Sequence, residues 1–282
     1  MTVREQARYW EHPGLPGVDL LRARYVRHTF TRHAHDSYVI AAVTGGVEGI
    51  GLPGGAERAG AGAVVLINPE TPHTAYAGVE EGWSYRVLYP SPAVVAAVAA
   101  ETTALRGTPS FNASVLDDPV TARMIAAVHR AAEGDNALAA DTQLRLVVAR
   151  MLARHASSAA PGPVLNGGAG VAARARDLLA TRLAAPPSLE ELARELGTGP
   201  FALLRAFKAA YGLPPHAWLT GERVRAARRL LDTGVSPADT AATVGFTDQP
   251  HLNRHFARIV GVPPGAYQRE RKNVQDPLSR RP

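Results

Sequence analysis

The chain has 282 residues, 46% hydrophobic and 20% charged, which suits two globular domains of roughly 100–200 residues each. It has no cysteine, excluding disulfides, thiolate chemistry and cysteine-ligated zinc, and no apolar run near the ~20 residues that span a bilayer. Its net charge of +6 is placed at the end: residues 171–282 hold 17 of the 31 Lys and Arg but 10 of the 25 Asp and Glu, leaving 14 and 15 for residues 1–170.

The N-terminus opens on Arg4, Glu5 and Arg8 and not on an apolar leader, so a reducing cytoplasm is the expected compartment. From about residue 18 to 90, short alternating runs predict strands: Leu20–Phe30, Tyr38–Val43, Val47–Leu52, Val64–Ile67 and Ser84–Tyr89. Turn residues such as Gly45-Gly46 and Pro53-Gly54-Gly55 separate them, as in an antiparallel sandwich or barrel. Residues 91–156 change to helical periodicity, with helices predicted over Pro119–Arg130 and Ala139–His155. In the second, Leu144, Val147, Val148, Met151 and Leu152 share a face that either covers the sheet or pairs two subunits. Small residues, Gly and Pro over 156–170 read as a linker.

Beyond the linker everything reads as helix: Val171–Arg182, Leu189–Leu196 capped by Ser188, Pro200–Ala210, Pro215–Leu231, Pro237–Val244, Pro250–Val260 and a short final turn near Pro264–Arg269. An internal repeat organises these helices. Residues 203–218 (LLRAFKAAYGLPPHAW) and 252–267 (LNRHFARIVGVPPGAY) share Leu-x-Arg-x-Phe-x-x-x-x-Gly-x-Pro-Pro at an offset of 49. Upstream of the copies stand Ala193 with Gly197, and Ala241 with Gly245. A small residue that lets two helices approach, then a glycine that permits a left-handed turn, predicts a helix-turn-helix. The second turn is expected to be one residue longer, because Leu203 lies six residues after Gly197 and Leu252 seven after Gly245.

In each unit the Leu and Phe at i and i+4 face inward, which turns Phe201, Leu204, Arg205 and Lys208, and Gln249, Pro250, His251, Asn253, Arg254 and Arg258, toward a partner. Gln and Asn can pair with adenine, and Arg with guanine. Arg223, Arg225, Arg228 and Arg229 on the linking helix suit phosphates. That helix, about 24 Å long, can set two recognition helices near one DNA turn apart, about 34 Å.

Residues 171–271 resemble the DNA-binding domain of the AraC/XylS family of transcription regulators, through SLEELARELG, LLRAFKAAYGLPP, ERVRAARRLLDTG and GFTDQPHLNRHFARIVGVPP. The N-terminal part resembles that family's cupin-type effector domain through HAHDSYVIAAVTGG and GAVVLINPETPH. This second resemblance implies a ligand pocket at His33, His35, Tyr38 and His73. Metal-binding cupins add a Glu to three such histidines, and here that position holds Val39 or Ile40. Tyr76, Trp83, Tyr85 and Arg86 are candidate pocket neighbours or core residues.

The resulting expectation is an α+β chain. Residues 1–156 form a cupin-like antiparallel β-sandwich or barrel with flanking helices, 157–170 a linker, 171–272 an all-α domain with two helix-turn-helix units, and 273–282 a tail. Its function would be ligand-responsive, sequence-specific regulation of transcription, with double-stranded DNA and a small-molecule effector as partners. RNA polymerase contact, a homodimer and the absence of catalysis, cofactor and metal complete the expectation. The alternatives are a metal-dependent cupin enzyme with a basic helical appendage, and a sequence-independent architectural DNA binder.

Overall fold

The computed structural model describes residues 5–158 and 167–275. The chain divides into two compact units: the strands with the first three helices and the segment from Arg269, and the later helices up to Gln268, with which the short stretch Thr31–His33 is grouped. The α+β expectation holds, with the sheet in the first unit and the helices from Gly167 onward in the second.

In the first unit the strands are β1 (Gln6–Glu11), β2 (Val18–Tyr25), β3 (Thr29–His33), β4 (Val39–Leu52), β5 (Gly55–Gly60), β6 (Ala63–Ile67), β7 (His73–Ala77) and β8 (Trp83–Pro90). The sheet runs β1-β2-β8-β4-β6, closed at one edge by β10 (Val115–Asp117), and the far half of β4 also pairs with β5 and β7. Two expected strands, Tyr38–Val43 and Val47–Leu52, are thus one long strand. A register shift against β8 between Val43 and Gly45 lets β4 serve both halves of the sheet, as a bulge bends a strand without ending it. The expected strand Leu20–Phe30 is instead two, broken where Glu5 accepts hydrogen bonds from the amides of Val26, Arg27 and His28.

One face of the sheet is covered by α1 (Pro92–Thr102), α2 (Pro119–Glu133) and α3 (Ala137–His155). Leu20, Ile40, Ala42, Val64, Leu66 and Leu88 from alternate strand positions meet Val95, Ile125, Val128, Leu144, Val147, Val148 and Met151 in one core. The apolar face of α3 is therefore spent within the subunit, and the alternative that it pairs subunits falls. Asp118 caps α2 by accepting from the Thr121 amide at 3.0 Å, and Arg150 on α3 holds that carboxylate at 3.1 Å.

The expected linker is narrower at both ends. Ala156–Ser158 form β11 against β9 (Pro109–Phe111), and α4 (Gly167–Thr181) begins four residues early. Residues 159–166 and the expected tail beyond Gln275 lie outside the described residues.

The second unit continues with α5 (Leu189–Glu195), α6 (Pro200–Tyr211), α7 (Pro215–Asp232), α8 (Pro237–Val244), α9 (Gln249–Val260) and α10 (Pro264–Gln275). The element expected as a short turn, α10, is a twelve-residue helix. It is the repeat's counterpart of α7, since both start on the second proline of a Pro-Pro pair. Among the described residues no helix is long and apolar enough to cross a membrane.

Candidate nucleic-acid interface and effector pocket

The two helix pairs are built alike. Ser188 and Glu191 form a reciprocal capping box at the start of α5 (3.2 and 2.8 Å), and Ser236 caps α8. Leu192, Ala193, Leu203 and Phe207 bury completely between α5 and α6. In the second unit Ala241 and Val244 of α8 and Leu252 and Phe256 of α9 are likewise buried. The aromatic that follows each Pro-Pro pair closes the unit edge-on, Trp218 against Phe207 at 6.0 Å and Tyr267 against Phe256 at 5.4 Å. A left-handed glycine closes the first helix alike in both units, Gly197 (φ +65°) and Gly245 (φ +87°), with the Thr198 amide donating to the Ala193 carbonyl and the Phe246 amide to that of Ala241, each at 2.9 Å. Residues 198–199 then lead into α6 and residues 246–248 into α9, so the second turn is one residue longer, as expected.

The second helix of each unit, α6 and α9, presents its predicted side chains unequally. Phe201 is 75% exposed, and Arg205 and Lys208 are exposed with it. Leu204 is half-buried and lines a small apolar hollow with Leu179, Leu192 and Leu219, so it serves packing at least in part. On α9, Gln249, Pro250, Arg254 and Arg258 are exposed, and Asn253 is half-buried. His251 is half-buried against Phe246 and His255 (5.2 and 4.9 Å). Burial lowers the pKa of His255, and His251, Arg258, Arg254 and Arg223 lower it further. The positive charge exposed on α9 is that of Arg254 and Arg258.

The linking helix α7 contributes less free charge than its composition promises. Arg223 donates to the Leu183 carbonyl at 2.8 Å and lies over Phe246, and Arg225 pairs with Glu222 at 2.8 Å. Arg228 lies over the Tyr267 ring at 5.8 Å. Arg229 is exposed. Three of these four arginines brace the fold, a use that charge counting could not anticipate.

His33, His35 and His73 converge, with a ligating nitrogen of each within 4.8 Å of the others. His33 Nδ1 lies 2.6 Å from the Thr31 carbonyl and His73 Nδ1 lies 2.9 Å from that of Thr71. A carbonyl oxygen only accepts, so each such bond places a proton on Nδ1. Three imidazoles so disposed can contact an organic ligand or hold a divalent ion. Tyr38 does not join them: it is fully buried in the helix-facing core, with its hydroxyl donating to the Pro109 carbonyl at 2.6 Å. The expectation of Tyr38 in the pocket is therefore corrected to a core position.

Trp83 and Tyr85 are buried, whereas Tyr76 is 37% exposed. Both buried rings pack with Tyr25 (5.2 and 6.1 Å), and Tyr25 with His28 and Phe30. Glu48, absent from the expected site, is buried on β4, and burial raises its pKa to about 8. A lone Glu in the run GGVEGIGL reads equally as an exposed strand position, so alternation alone could not place it.

Comparison with known proteins agrees with this architecture. Residues 15–148 match the AraC-like ligand binding domain and residues 192–270 a helix-turn-helix domain. Over 240 residues the chain is 25% identical to the HTH-type transcriptional regulator YbfI of Bacillus subtilis, a match covering 83% of this chain and 86% of that one. With the HTH-type transcriptional regulator ExsA of Pseudomonas aeruginosa it is 31% identical over 77 residues, 27% of this chain and 28% of the relative. The crystal structure of ToxT from Vibrio cholerae shares the fold, with a TM-score of 0.52 at 12% identity over 94% of this chain and 97% of that one. The chain belongs to the AraC family of transcription regulators, with an AraC-like ligand-binding domain followed by a helix-turn-helix DNA-binding domain.

Proposed function

We propose that the chain regulates transcription by reading two successive major grooves with α6 and α9, under control of a small molecule bound at His33, His35 and His73. The observation that carries this reading is the duplicated helix pair. In both copies the Leu and Phe are fully buried while Arg205 and Arg254 occupy equivalent exposed positions. Arg205, Lys208, Gln249, Asn253 and Arg254 contact base edges, with Phe201, Pro250 and His251 beside them, and Arg258 and Arg229 take phosphates.

The protein acts by binding rather than catalysis, in the cytoplasm, and its effector shifts an equilibrium between two arrangements that differ in DNA occupancy or in contact with RNA polymerase. A homodimer fits the exposed Leu138 and Leu146 on α3, at 79% and 50%. They lie eight residues apart and so share a helix face that the subunit itself leaves uncovered.

The test is selection of bound duplexes from a random pool by the full-length chain, with and without candidate metabolites. Enrichment of one two-part site, with parts about one DNA turn apart, supports the reading. Equal recovery of every duplex at fixed salt points instead to a sequence-independent binder and overturns it.

A further inference from the structure

We propose that the helix-bearing face of the first unit's sheet, beside Glu133 at the end of α2, carries a second ligand site, an arginine-lined cleft for a compact anion with two or more negative charges. Antiparallel register sets Arg8 opposite Arg22 and Arg22 opposite Arg86, a row of three guanidinium groups across β1, β2 and β8. The adjacent row on the same face is Gln6, Arg24 and Ser84. Like charges directly opposite on one sheet face repel, so the arrangement is unfavourable unless an anion resolves it.

Among the described residues too little negative charge faces this row. Glu133 serves two of the arginines, Arg22 at 2.8 Å and Arg86 at 3.6 Å. The buried Nη1 of Arg86 makes no hydrogen bond. Arg8 pairs with Glu270 at 3.0 Å. Among the described residues Arg24 donates to neutral oxygens, Ser84 Oγ at 3.3 Å and the Glu81 carbonyl at 3.1 Å. Glu5 also lines the cleft, but one of its carboxylate oxygens already accepts three backbone amides.

These side chains wall a cleft of about 640 Å³, within the range of small-molecule sites. Planar guanidinium forks fit carboxylate and phosphate oxygens pairwise. The site is distinct from the imidazole cluster. His35 packs on Tyr89 at 5.2 Å, and Tyr89, three residues from Arg86 on β8, faces the other side of the sheet.

The test uses the full-length chain at constant ionic strength, titrated calorimetrically and by thermal shift with inorganic phosphate, malonate and chloride. Saturable binding of phosphate or malonate, with none of chloride, is the expected result. The tighter of the two indicates a phosphate ester or a dicarboxylate as the natural ligand. Arg86→Gln and Arg24→Gln should each weaken binding at least tenfold. Arg24→Gln leaves the Glu133 pairs intact, so it decides the matter if Arg86→Gln fails to fold. Equal effects of all three anions, or undiminished binding by folded Arg24→Gln, would overturn the proposal.

Discussion

Gly197→Ala and Gly245→Ala place the same methyl group in the turn of each helix-turn-helix, yet their costs should differ several-fold. Both residues are left-handed, at φ +65° and +87°, a conformation that costs an alanine about 1–2 kcal/mol. Loss of glycine's freedom in the unfolded chain offsets roughly 0.4–1 kcal/mol of that. At Gly197 an added Cβ meets no heavy atom within 4 Å, so the whole loss is about 1 kcal/mol or less. At Gly245 the Cβ would lie 2.6 Å from both the Cα and the carbonyl oxygen of Ala184, and 2.9 Å from Arg223 Nη2. Backbone cannot swing aside as a side-chain tip can, and Arg223 is itself held to the Leu183 carbonyl. Forced overpacking of this kind adds roughly 1–3 kcal/mol, bringing the expected loss to about 3 kcal/mol. Urea unfolding of the full-length variants, followed by circular dichroism at the helix signal, measures both. Equal losses, or a greater loss for Gly197→Ala, would refute the argument from turn geometry.

Arg205→Ala and Asn253→Ala should each cost roughly 1–3 kcal/mol on the selected site and relax base preference locally; gel-shift titrations on single-base variants report it, and a uniform loss would assign the side chain to phosphate. His129, fully buried, has its pKa lowered to about 3 by burial, with Arg86 and Arg22 adding to the effect against a hydrogen bond to the Val87 carbonyl. Its folded state is neutral while the unfolded imidazole takes a proton near 6.5. The first unit should therefore lose stability as pH falls from about 6.5 toward 3, by at most about 1.4 kcal/mol per pH unit. His129→Leu should flatten that slope in urea midpoints measured at pH 7 and pH 5. Tyr38→Phe strands the Pro109 carbonyl and should cost about 1–3 kcal/mol without changing effector affinity, by thermal shift and calorimetry.

Much of the second unit was legible because its signals are local. Ser188 with Glu191, the prolines that open α6, α7 and α8, and the glycines of the turns each act within a few residues. The offset of 49 extends to α10, since Pro264 repeats Pro215 and opens a helix in the same way. The first unit was less readable. β1, β5, β7 and β9 through β11 carry short or polar runs whose extended form is decided by neighbouring strands.

Local pattern alone determined that this chain has a sheet-rich first part, a duplicated helix-turn-helix and an excess of positive charge in the latter. Helix periodicity, capping and turn chemistry need no distant partner to be read. The role of each charge and ring was settled only by folding. Arg223, Arg225 and Arg228 became braces, Tyr38 a core residue, Glu48 a buried acid, and Arg8, Arg22 and Arg86 a single row. Residues up to 78 positions apart meet in that row through strand register, and register is a property of the assembled sheet, invisible to any window of sequence.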